Sequence, residues 1–137
     1  SRLGSNRTDR AYAWSSLRNA GASLAFGSDA PVDPVNPIRG IYAAATRQDE
    51  DGTPDGGWAP SECLDRTTAL RAYTLGAASA AFQEETLGSI TPGKRADFVV
   101  LTQDIMTVPA PHLLDTDVLA TYVDGTPAYT RDEWPVS

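Results

Sequence analysis

Few side chains in this sequence could do chemistry, and Asp29 is the most suggestive of them. The run Leu24, Ala25, Phe26 is short and apolar, Gly27 stops it, and Ser28 and Asp29 follow ahead of Pro31. That pattern reads as a buried strand ending in a loop. A carboxylate just past the exit of such a strand stands where α/β folds gather ligands and catalytic groups. There it could hold a cation, or take a proton from water and hand it on. Spacing alone equally allows Ser28 and Asp29 to be turn-formers whose side chains bond the next backbone amides. Arg47 falls near the end of a helical pattern, where a cation opposes the helix dipole, and Arg39 has no stronger claim. Trp58 lies in a long loop, either as a lid aromatic or as the side chain that packs the loop onto the core.

Other constellations fail on counting. With one His (His112) and one Cys (Cys63), the chain cannot by itself supply a two-His, Cys/His or multi-Cys zinc cage. His112, in PAPHLL, reads as an ordinary loop or helix-start histidine. Residues 88–95 imitate a phosphate loop, but Arg95 stands where Ser or Thr is needed, Pro92 removes a backbone donor, and a strand follows, so a β-turn is expected. Neither G-x-S-x-G nor G-x-G-x-x-G occurs. The net charge is −7 and Lys94 is the one lysine; without a basic stripe, neither nucleic acid nor an anionic membrane is an expected partner.

The elements that must position these residues follow from periodicity. Residues 9–20 predict a helix, ended by Gly21 in a left-handed cap. Pro31, Pro34 and Pro37 hold the next stretch extended. Residues 38–48 predict a second helix with Ile38, Ile41, Tyr42 and Ala45 on one face and Pro37 in its first turn. Residues 49–61 are rich in Gly, Pro and Asp and form a long loop, mobile or functional. Residues 61–82 predict two consecutive helices with a break near residues 74–76. DFVVL is a buried strand, and residues 117–130 a hairpin with its tight turn at Asp124 and Gly125.

At 137 residues the chain can bury one modest core, and a complete eightfold β/α barrel, at roughly 250 residues, is out of reach. A lone Cys63, no apolar run near the roughly 20 residues of a membrane span, and no charged-then-apolar start make the cytoplasm the expected compartment.

Taken in order, NRTDRAYAWSSLRNAGASLAFGSDAPV, NPIRGIYAAATRQ, ALRAYTLGAASAAF, LGSITPGKRADFVVLTQD and ATYVDGTPAY resemble the carboxy-terminal portion of the metal-dependent amidohydrolase superfamily, in particular its amidohydrolase family 3 branch. The succession FGSDAPV, AAATR, RAYT, GSITPGKRADFVVL is more telling than any one piece. The resemblance implies an α/β fold: the last βα units of a TIM-type barrel over residues 1–86, and over 87–137 the carboxy-terminal strands of a composite β-sandwich. Asp29 matches the family's Asp after the last barrel strand, which binds a divalent metal or acts on the metal-activated water, so the resemblance makes it both the catalytic and the metal residue. Arg47 falls where the family tends to carry an Arg, with a structural or substrate-loop role. Gly88, Gly93 and Asp97 become turn and strand-start residues.

What the resemblance implies for function is hydrolysis of carbon–nitrogen bonds other than peptide bonds, on a small amide-type substrate, with a divalent metal, zinc first, as cofactor. The family's His-x-His strand, bridging Lys or Glu and two further His have no counterpart here, so the expectation is a fragment that binds no metal tightly and is inactive in isolation. Uncovered apolar faces and strand edges make a homo-oligomer the expected state. The rival reading is a non-catalytic module that self-associates or completes a partner's barrel.

Overall fold

A computed structural model of the chain describes residues 5–8, 11–132 and 134. After a single helical turn, α1 (Ser5–Thr8), comes α2 (Trp14–Asn19). This helix is shorter than its sequence pattern, whose residues 9 and 10 lie outside the described ones. Tyr12 adopts a left-handed φ of 54° and so cannot continue α2 backwards. At the other end Gly21, at φ 90°, reverses the chain as expected. Residues 24–26 then run back along α2, with Trp14 edge-on to Phe26 at 5.8 Å.

This run is extended but joins no ladder among the described residues, where a buried strand was expected. A strand needs a neighbour, and the three strands present pair with one another. The run is held instead from one side: the Phe26 amide donates to the Ala72 carbonyl at 3.0 Å, and Tyr73 sets its ring edge-on to Phe26 at 5.5 Å.

Helix α3 (Pro37–Thr46) begins as its sequence dictates. Asn36 caps it, accepting from the Ile38 amide at 3.0 Å, and Pro37 occupies the first turn. It buries Ile38, Ile41, Tyr42 and Ala44, Ala44 taking the place expected for Ala45, and it stops two residues early because Arg47 turns left-handed at φ 59°. Helix α4 (Arg66–Arg71) is capped by Asp65, which accepts from the Thr68 amide at 2.7 Å and hydroxyl at 2.8 Å. A wide π turn (Ala72–Gly76) carries it into α5 (Ala77–Ala80). The expected break is therefore a widened turn within a continuous helical path. Gly76 sits at its end, where a Cβ would lie 2.2 Å from the Leu24 carbonyl oxygen; only glycine lets the 24–26 segment approach so closely.

The last third is β-rich as expected. Strands β1 (Phe98–Leu101), β2 (Val118–Val123) and β3 (Thr126–Thr130) form an antiparallel sheet in the order β1-β2-β3, with Phe98 opposite Tyr122 and Ala120 between Val100 and Thr130. Asp124 and Gly125 both take positive φ, as a two-residue hairpin turn requires. The 88–95 stretch is a turn: Lys94 donates to the carbonyls of Glu84 and Leu87, and Asp97 accepts from the Asp124 amide at 2.7 Å. The β1–β2 connection carries a 3₁₀ helix (Ala110–Asp115) back over α3, so that Ile105 and Leu113 join Ile38, Ile41, Tyr42, Leu64 and Ala69 in one core.

Candidate active site

Asp29 stands three residues beyond Phe26, exposed, at a left-handed φ of 53°. Its carbonyl accepts from the Val32 amide at 2.9 Å, so the chain turns at once, through a backbone bond. Non-glycine residues take this conformation seldom, Asp and Asn most readily, and such outliers concentrate at functional sites. The extended run behind it is gripped between Trp14 and Tyr73, which fixes where the carboxylate emerges.

Ser28, the neighbour of Asp29, lines a cavity of about 250 Å³ together with Asp33, Asn36, Arg39, Tyr42 and Tyr73. Arg39 is tied at 2.8 Å to Glu50 on its rim. Burial, with the charge of Asp33 adding to it, pushes the Tyr73 phenol up from its ordinary range. A larger cavity of about 580 Å³ lies between Arg18, Leu24, Arg71, Gly76 and Glu85 and touches no residue of the Asp29 turn.

The 49–61 loop is ordered by its own side chains. Gln48 donates to the carbonyls of Gly52 (2.7 Å) and Pro54 (3.1 Å), and Asp49 accepts from the Thr53 hydroxyl at 2.7 Å and amide at 2.9 Å. Those two bonds hold the Asp49 carboxyl below its ordinary range. Arg47 is more than a cation at a helix end. Its Nε donates to the Trp58 carbonyl at 3.1 Å, its Nη1 to the Tyr12 carbonyl at 3.2 Å, and its guanidinium lies 4.8 Å from the centre of the Trp58 ring. Just past the loop, Glu62 accepts from the Ser16 hydroxyl and amide, the latter at 2.9 Å. Neither attachment was legible in the sequence, because each joins residues 35 to 46 positions apart with no shared motif. His112 keeps its ordinary reading, its Nδ1 lying 3.0 Å from the Asp115 carboxylate on an exposed surface. Burial pushes the Cys63 thiol up, away from the thiolate a nucleophile needs.

The donors around Asp29 do not fit a metal by themselves. Among the described residues no three His, Cys, Asp or Glu side chains gather closely enough to hold an ion, whereas zinc sites draw three or four protein ligands. Asp29 is at most one of such a set.

Residues 1–129 match the amidohydrolase family. Over 130 residues the chain is 35% identical to YtcJ of Bacillus subtilis, assigned by its name to the amidohydrolases, covering 95% of this chain and 25% of that protein. It is 43% identical over 129 residues to the protein LONG AFTER FAR-RED 3 of Arabidopsis thaliana (93% and 22%), and 34% identical over 116 residues to the N-substituted formamide deformylase of Arthrobacter pascens (85% and 21%). Among solved structures, an amidohydrolase from Thermotoga maritima superposes with a TM-score of 0.65 at 26% identity, covering 88% of this chain and 26% of that one. Guanine deaminase from E. coli shares the fold, with a TM-score of 0.56 at 19% identity over 95% and 38% of the two chains. The chain belongs to the amidohydrolase family and corresponds to its carboxy-terminal portion. It spans a quarter or less of the length of these curated relatives.

Proposed function

We propose that this chain is the carboxy-terminal part of a metal-dependent amidohydrolase that hydrolyses a carbon–nitrogen bond of a small amide, other than a peptide bond. Family membership supports hydrolysis of such bonds, and the relative that deformylates N-substituted formamides makes a simple amide the first substrate class to examine. In this reading residues 1–86 close a TIM-type barrel and 87–137 contribute strands to a composite β-sandwich. The observation that carries the reading is Asp29 itself: an exposed carboxylate in strained backbone, one short turn beyond an anchored extended segment.

In this reading Asp29 takes a proton from the attacking water and delivers it to the departing nitrogen. The divalent metal, zinc first among candidates, requires donors that this chain does not bring together, and Asp29 would be its single ligand here. In isolation the chain is therefore inactive. The working compartment is the cytoplasm; among the described residues no helix is long and apolar enough to cross a membrane.

The test is made on the longer protein that carries this chain. Asp29→Asn keeps the side-chain shape and tolerates the left-handed backbone, so the fold should hold while kcat on a small amide falls by about 10²–10⁴-fold. An unchanged kcat, with thermal unfolding also unchanged, would remove Asp29 from the chemistry and this reading with it.

A further inference from the structure

Helix α2 begins against the segment that leads to Asp29. Trp14 packs on Phe26, three residues before Asp29, and Tyr12 packs edge-on to Trp14 at 5.9 Å. Onto Tyr12 comes Trp58, 6.0 Å away with the rings at 82°. Four aromatic rings thus run unbroken from the anchor of the Asp29 segment to the 49–61 loop.

Arg47 fastens that loop. It bonds the carbonyls of Tyr12 and Trp58 while lying over the Trp58 ring, and its own carbonyl accepts from the Trp58 amide at 2.8 Å. Its Nη2 is buried and has no hydrogen-bond partner among the described residues. Tyr12, Arg47 and Ala59 are three of the six non-glycine residues with positive φ among those described, and Asp29 is a fourth. Gly57 belongs to the same knot: at φ 83° its Cβ would meet the Thr46 carbonyl oxygen at 2.2 Å and the Arg47 Cβ at 3.2 Å. Strain concentrated where two segments are tied persists only if the surroundings impose it, and functional sites are where it collects. What the knot presents outward is Tyr12, 64% exposed, beside Trp58, 37% exposed.

Resting on the reading of Asp29 as the catalytic carboxylate, we propose that Arg47 is a positioning residue: it latches the 49–61 loop so that Tyr12 and Trp58 stand as one aromatic wall beside Asp29, against which an apolar substituent of the amide substrate packs. Lysine replaces it poorly, since its ammonium lacks the rigid planar fork that meets both carbonyls at once while lying flat against the indole.

Two measurements test this. In the 137-residue chain, Arg47→Ala and Arg47→Lys should both speed hydrogen exchange of the Gly57 and Trp58 amides while core amides of α3 keep their protection; Lys serves should Ala fail to fold. Unchanged exchange in both variants overturns the latch, whatever the chain's activity. In the longer protein, kinetics are compared on two formamides bearing phenyl or methyl on nitrogen. Arg47→Ala and Trp58→Ala should raise KM for the phenyl compound about tenfold more than for the methyl one, the loss of roughly one aromatic contact, with kcat for the two compounds moving together. Faster exchange with equal effects on both KM values keeps the latch and overturns the wall. Failure of the unaltered protein to hydrolyse either amide overturns the proposed activity and the wall's substrate, and exchange still decides the latch.

Discussion

Asp29 and Glu62 are carboxylates in opposite employment. Asp29 is exposed, aimed outward from a strained turn. Glu62 spends its oxygens on Ser16 in the first turn of α2, where helix amides lack partners and negative charge is favoured. Bonds from the Ser16 hydroxyl and then its amide hold the Glu62 carboxyl below its ordinary range, with a small further push from Arg47. A carboxyl lowered by folding stabilises the fold above its unfolded pKa, and that contribution disappears as pH falls through the folded value. The tie between Glu62 and α2 should therefore be intact at neutral pH and loosen only in acid. Protection of the Ser16 amide, followed by hydrogen exchange against pH, should fall in the acid range in the unaltered chain and show no such step in Glu62→Gln. A Ser16 protection factor that is flat in both would disprove the assignment.

At the scale of elements, α3 is the organiser. Its proline and most of its apolar face were legible residue by residue because each acts within one or two turns. What covers that face was not legible: Leu113, fully buried, arrives from a 3₁₀ helix about 70 residues later, with Ile105 from the same connection. Leu113→Ala would leave a hole where α3 meets the β1–β2 connection and should cost about 2–5 kcal/mol, read as a lower urea midpoint. A loss of a few tenths would mean the connection is only draped over α3. The expected strand at 24–26 shows the same limit from the other side. Apolar composition dictated that Leu24 and Phe26 pack inward, and they do pack against the core. Ladder formation depends on a neighbouring strand, which composition cannot supply.

For the whole molecule, apolar side chains stand open on the sheet: Val99, Val123 and Tyr129 are about half exposed. Open apolar surface of this kind drives association, so the purified chain should sediment as a species heavier than its 14.6 kDa monomer. A zinc titration by calorimetry on the same sample should show no tight binding, and Asp29→Asn should change nothing in it. Tight binding that vanishes in the mutant would mean that several copies of Asp29 build a site together, and a purely monomeric chain would remove the case for association.

Local physics let the sequence by itself determine the left-handed stop at Gly21, the proline start of α3, the Asp124 and Gly125 hairpin, the turn at 88–95, and the family through motifs lying in a fixed order. It also singled out Asp29, through a carboxylate following an apolar run. Only the tertiary structure decided that Arg47 grips Tyr12 and Trp58, that Glu62 is spent on Ser16, and that Leu113 closes the core over α3. Those contacts join residues from 11 to several dozen positions apart, created when buried surface draws segments together, and no short-range pattern records which partner each will meet.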